Sequence, residues 1–160
     1  MKIYVAARFE ERERVRNAYE SLMGQGHVIT EDWTVHDAAK PYRRNRELIS
    51  KYAVRDVDAV RESDVFVFLT SPVVGGGSST EFGVALSANL LFGRPLLYVV
   101  GEYTENNLCF FHPAVRRRED LDQVMRELAG AWYDPALRGL GGALGAMSQV
   151  SDHRGSRRDA

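Results

Sequence analysis

The sequence contains a single cysteine, Cys109, in 160 residues. That excludes a disulfide framework and any multi-cysteine metal site. Histidine is also sparse and scattered: His27, His36, His112 and His153 show no metal-ligand spacing with one another or with Cys109. No metal site is therefore expected. No excess charge of one sign exists either. Lys and Arg total 21 against 22 Asp and Glu, for a net charge of -1. A surface that holds nucleic acid by bulk electrostatics is excluded on that balance. No apolar run approaches the ~20 residues needed to span a bilayer. Residues 1–6 are too short, and enter the fold too soon, for a signal peptide. The expected setting is a reducing cytoplasm without membrane attachment.

What is present fits an ordinary globular protein, with 44% hydrophobic and 27% charged residues. A chain of this length buries roughly 70% of its unfolded surface and needs no staple. The composition is uneven, however. Five of the 14 glycines fall in residues 136–160, a stretch without an aromatic side chain. Such a segment cannot bury enough apolar surface to offset the entropy of ordering it. The expected organisation is one domain over residues 1–135 and a disordered Gly/Arg-rich tail over 136–160.

Hydrophobic patterning sets the order of elements. Ile3, Tyr4, Val5 and Ala6 read as a first buried strand. Val15, Ala18, Tyr19 and Leu22 form one helical stripe, ended by Gly24 and Gly26. Residues 27–30 read as a second strand, and residues 31–44 as a loop. Ile49, Ala53, Val57 and Val60 predict the buried face of a helix over 45–62. The apolar runs 65–69 and 96–100 read as buried strands. Between them lie a Gly/Ser loop over 72–79 and an apolar helix from Thr80 to Phe92, apolar nearly all round and so expected to be buried. Leu121, Val124, Met125 and Leu128 mark a last helix, and Arg116, Arg117 and Arg118 a solvated turn. Alternating strands and helices predict a parallel sheet of four to five strands with helices on both faces. Ligands bind such sheets at the carboxyl ends of the strands.

Two carboxylates and one loop stand out. Glu81 follows the Gly/Ser loop at the expected start of a helix. There the dipole and free N–H groups favour an ionised carboxylate, as a nucleophile requires. Asp56 borders the apolar stripe of the 45–62 helix, where a carboxylate needs a partner or a task. Arg55 and Asp58 point away and read as solvated. The run Gly75, Gly76, Gly77, Ser78, Ser79 offers backbone N–H groups to a phosphate or sugar. It has neither the Walker ending nor the dinucleotide glycine spacing. In the 31–44 loop, Trp33, Tyr42, Arg43 and Arg44 are candidates to place an aromatic ring on a base and a cation on a phosphate.

Three motifs then occur in order. They are Lys2-Ile3-Tyr4-Val5-Ala6-Ala7-Arg8-Phe9, Tyr52-x-x-x-Asp56 with Asp64 eight residues on, and Thr80-Glu81-Phe82-Gly83-Val84-Ala85. Over about residues 2–112 the chain resembles the nucleoside 2-deoxyribosyltransferase family, which includes the nucleoside 5'-monophosphate N-glycosidases. The resemblance implies a flavodoxin-like three-layer α/β/α sandwich and cleavage or transfer at an N-glycosidic bond. It implies Glu81 as the nucleophile that forms a glycosyl ester, with Tyr4 orienting it. It implies Asp56 as the group assisting departure of the base. Arg8 and Phe9 would line the pocket mouth, with Gly75, Gly77, Ser78 and Ser79 beside the substrate. Asn107, in Asn106-Asn107-Leu108, would be contributed in trans within a homodimer or larger homo-oligomer. No metal or organic cofactor is implied. The family carries Asp or Ser six residues before its nucleophile, and here that position is Gly75. The departure motivates a second reading, a non-catalytic module that binds a nucleotide derivative. A third is hydrolysis of the nicotinamide–ribose bond of NAD.

Overall fold

Val65–Leu69 forms the middle strand of a five-stranded, all-parallel sheet in a computed structural model that describes residues 1–37 and 40–131. The strands are β1 (Lys2–Ala6), β2 (Val28–Ile29), β3 (Val65–Leu69), β4 (Leu96–Val100) and β5 (Val115–Arg118). Their order is β2-β1-β3-β4-β5. Tyr4 pairs with Phe66, Phe66 with Leu97, and Leu97 with Val115. All five residues of β3 are buried, as expected of an apolar run covered on both faces.

The helices are α1 (Arg12–Gly24), α2 (Arg46–Glu62), α3 (Gly76–Phe92) and α4 (Leu121–Ala131). The path from β1 to β2 runs opposite to the paths into β3 and β4. Right-handed crossovers therefore put α1 on one face of the sheet and α2 and α3 on the other. The result is the three-layer flavodoxin-like sandwich. The order reverses between β1 and β3, which is where such sheets open a crevice. The chain divides into two units, Met1–Val124 and Met125–Ala160. Of the second, only residues 125–131, the end of α4, are described. The tail expected over 136–160 lies outside the described residues. No described helix is long and apolar enough to cross a membrane.

Several expectations need correction. Residues 76–79 are not loop: they are the first turn of α3. Ser78 and Ser79 each donate a hydroxyl hydrogen bond to the Gly75 carbonyl (3.1 and 2.8 Å), and Thr80 donates to Gly76 (3.0 Å). The backbone closes the turn, with the Ser79 N–H donating to the Gly75 carbonyl at 3.0 Å. Nor is α3 buried all round. Phe82, Ala85 and Ala88 are buried, whereas Leu91 and Phe92 are 70% and 72% exposed. On α2 the stripe is shifted: Ala59 and Val60 are buried and Ala53 is exposed. Arg116, Arg117 and Arg118 belong to β5 rather than a turn. Their guanidinium groups lie over rings, Arg116 and Arg118 over Tyr98 and Arg117 over Phe111, so the strand is covered by its own arginine stems.

Candidate active site

An aromatic chain under α3 fixes the position of Glu81. Phe82, its neighbour, meets Phe66, Phe68 and Phe110 at centroid distances of 6.2, 6.0 and 5.2 Å. Phe66 in turn stacks on Tyr4 at 5.8 Å. Because α3 starts at Gly76, Glu81 is its sixth residue, in the second turn and past the free N–H groups, which end at Ser78. The expected dipole stabilisation is therefore weak. Burial dominates instead and pushes the Glu81 carboxyl up to about 7, with the Asp56 charge adding to the rise. Tyr4 opposes it by offering its hydroxyl to the carboxylate. That hydroxyl is fully buried and closes no hydrogen bond of regular geometry, so the pair stands in proximity short of a tight bond.

Asp56 comes to the same place from α2. Its Oδ1 is buried and without a hydrogen-bond partner among the described residues. Burial pushes this carboxyl up to about 6; Glu31 adds to the rise, while His36 and Arg55 work against it. Tyr4, Asp56 and Glu81 are thus brought together from three elements.

Arg8 and Gly75 meet nearby, at the ends of β1 and β3. A Cβ on Gly75 would stand 3.2 Å from Arg8 Cγ and 3.1 Å from Ser78 Oγ, so any side chain there would press on both. Arg8 also pairs with Glu10 at 3.2 Å. Phe9 is exposed beneath the Arg12 guanidinium. Ser78 is buried and Ser79 half-buried, both hydroxyls being engaged by the Gly75 carbonyl. Gly77 has open space around it. Asn107 caps the short turn Leu108–Phe111 by accepting from the Cys109 N–H (2.9 Å), and its described contacts do not join it to Glu81.

Two further groups, which no sequence motif joins to the site, stand here. Glu31 and His36, from the segment after β2, stand beside Asp56, and one polar atom of each of the three lies within 4.8 Å of the others. The His36 Nε2–H donates to Glu31 Oε1 at 3.2 Å, and Arg55 reaches the same oxygen at 2.7 Å. Arg55 is therefore not simply solvated. Such a trio has the donor types of a metal site. Here the Glu31 oxygen is already shared by the His36 ring and the Arg55 guanidinium, and Asp56 stands beside that bonded group. Two separate segments supply it, the one after β2 and α2, so no single spacing motif reveals it. Trp33 is also not a base-stacking residue: it is buried and donates from Nε1 to the Val5 carbonyl at 2.7 Å. A groove of about 660 Å³ along β5, lined by Glu105, Arg116 and Arg117, is remote from these groups. Its arginines are engaged, Arg116 by Tyr98 Oη and Arg117 by Glu105.

A solved CMP N-glycosidase, BcmB of Clostridium botulinum, matches this chain with a TM-score of 0.53 and 16% identity. The match covers 81% of this chain and 99% of that one. The chain has an N-glycosidase-like fold. No family model matches it, and no curated protein matches its sequence.

Proposed function

We propose that this protein breaks the N-glycosidic bond of a nucleoside or nucleoside 5'-monophosphate. The observation that carries the reading is the meeting of Glu81, Asp56 and Tyr4 on an N-glycosidase-like fold, with both carboxyls raised by burial. N-glycoside cleavage passes through an oxocarbenium-like state, as glycoside hydrolysis does. Glu81, ionised, attacks the anomeric carbon and forms a glycosyl ester as the bond to the base breaks. The base nitrogen takes the bonding pair and a proton from Asp56. Water, or a second base, then attacks the same carbon and frees Glu81, returning a proton to Asp56. Tyr4 orients the Glu81 carboxylate.

Arg8 and Phe9 border the entrance in this reading, with Gly75, Gly77, Ser78 and Ser79 along the sugar and its 5' end. Asn107 completes the pocket of a second copy in a homodimer or larger assembly. Size-exclusion chromatography with light scattering tests that assembly.

The deciding experiment is chromatographic detection of free base. Nucleosides, their monophosphates and NAD are incubated with wild-type protein and with Glu81→Ala, with and without an acceptor base. Release by wild type and a loss of at least about 10³-fold in Glu81→Ala support the mechanism. Equal release by both proteins overturns it. Saturable nucleotide binding without any release would leave the non-catalytic reading. Nicotinamide release from NAD alone would favour the third.

A further inference from the structure

The acid step makes a demand that Asp56 does not meet alone. It must carry a proton when the substrate arrives and must be reloaded after each turnover. The carboxyl is half-buried, with Oδ1 closed off from hydrogen-bond partners among the described residues. A neighbour able to share a proton with this carboxylate would keep the acid loaded.

His36 is placed to be that neighbour. Its ring is stacked on Tyr52 at 3.8 Å between centroids and within 4° of parallel. Tyr52 is one turn before Asp56 on α2, so the helix that carries the acid also sets the plane of the imidazole. The Tyr52 hydroxyl is held in turn by the Asp37 N–H at 3.3 Å. On its other side His36 donates Nε2–H to Glu31 Oε1, which leaves Nδ1 as a second proton site. Glu31 is anchored by Arg55, and its carbonyl by the Tyr19 hydroxyl at 3.1 Å. The ring is thus fixed at two points, within 4.8 Å of the Asp56 carboxylate. One side-chain adjustment or one bridging water closes that distance.

We propose that His36 is a positioning residue of the acid step, held by Glu31 and Tyr52, which passes to Asp56 the proton that leaves with the base. This rests on the N-glycosidase reading above. As the glycosidic bond breaks, Asp56 gives its proton to the base nitrogen. The ring gives a proton to the Asp56 carboxylate in its place, and the proton that the attacking water later returns to Asp56 passes back to the ring, so none is gained or lost over the cycle. No other co-reactant is needed. The charged and titratable groups around the ring are Glu31 from its own segment and Tyr52, Arg55 and Asp56 from α2. Beyond Asp56 lie Tyr4 on β1 and Glu81 on α3. The opposite effects of Glu31 and His36 on the Asp56 carboxyl agree with this arrangement.

The test uses two substrates with the same sugar: a nucleotide that wild type cleaves, and its 4-nitrophenyl glycoside. Nitrophenolate departs without protonation, so the second substrate bypasses the acid step. His36→Gln is expected to lower kcat on the nucleotide by about 10²-fold. On the aryl glycoside it should stay within about threefold of wild type. Added imidazole should restore part of the nucleotide activity of His36→Ala. Glu31→Gln should show the same leaving-group contrast, which keeps the test open if His36→Ala fails to fold. Equal losses on both substrates, or no loss on either, would overturn the assignment of His36 alone. So would wild-type activity that a chelator abolishes and a divalent cation restores, since the trio would then hold a metal. If wild type cleaves neither substrate, the N-glycosidase reading itself fails and His36 falls with it.

Discussion

Asp56 acts on Glu81 through space, adding its charge to burial in holding the Glu81 carboxyl protonated up to about pH 7. With Asp56 itself raised to about 6, the two groups titrate close together, and their apparent pKa values belong to the pair. Catalysis as proposed needs one proton between them, with Glu81 ionised and Asp56 protonated, which is the minor of the two one-proton forms because Glu81 holds its proton more tightly. The one-proton state is fullest between the two values. The kcat/KM of base release is therefore expected to trace a narrow bell with its maximum between about pH 6 and 7. Activity that is flat from about pH 5 to 9 would contradict the assignment.

Glu81→Gln should separate function from stability. The wild-type carboxyl titrates at about 7 in the folded protein against 4.5 for the free group. Between those values the unfolded chain loses its proton and the folded one keeps it, so wild-type stability falls as pH rises through this window. The loss is complete above the folded value and absent below the unfolded one. A shift of this size corresponds to about 3 kcal/mol. Glu81→Gln has no such penalty. It should be more stable than wild type at pH 8 by up to about 3 kcal/mol, with most of that gap gone at pH 4.5. Urea melts at the two pH values measure it, and a pH-independent difference would refute the buried-carboxyl account.

Tyr4→Phe removes the one group that lowers the Glu81 carboxyl. The Glu81 titration should rise, which lowers the peak rate and moves the alkaline limb of the rate profile to higher pH. The ring keeps its stack on Phe66. The lost hydroxyl has no regular hydrogen bond, so stability should change by less than about 1 kcal/mol. An unmoved alkaline limb and an unchanged peak rate would mean that Tyr4 does not act on Glu81.

Much of this fold was legible in the chain. The continuous apolar runs of β3 and β4 could only be covered strands, and the stripe from Val15 to Leu22 is the buried face of α1. The start of α3 was not legible, because three glycines and two serines read locally as a loop. The extra turn is closed by the backbone bond from the Ser79 N–H to the Gly75 carbonyl, which the local composition does not announce. That turn changes the site, since it moves Glu81 off the helix end and leaves burial to set its proton affinity. Trp33 was misread for a related reason. A ring in a long irregular segment suggests a binding surface, but a single bond to the Val5 carbonyl makes it part of the core. Glu31 and His36 carry no motif at all. They meet Asp56 only because the segment after β2 folds back over α2.

Gly101, directly after β4, is the position where a side chain costs most. Its φ is +121°, a conformation that residues with a Cβ rarely adopt. An added Cβ would stand 2.5 Å from Thr70 Oγ1 and 3.2 Å from an Arg14 terminal nitrogen. Neither neighbour can yield freely. Thr70 Oγ1 donates to the Val100 carbonyl at 3.0 Å and accepts from the Tyr103 N–H at 3.2 Å. Arg14 donates to the Thr70 carbonyl at 2.7 Å, tying α1 to the end of β3. Gly101→Ala must therefore strain its own backbone and break at least one of these bonds. The expected loss is roughly 2–4 kcal/mol in urea unfolding. Thr70→Ala removes the clashing hydroxyl, so Gly101→Ala should cost less in that background than in wild type. The two substitutions would then be non-additive, as expected of residues in contact. Strictly additive losses would place the strain elsewhere.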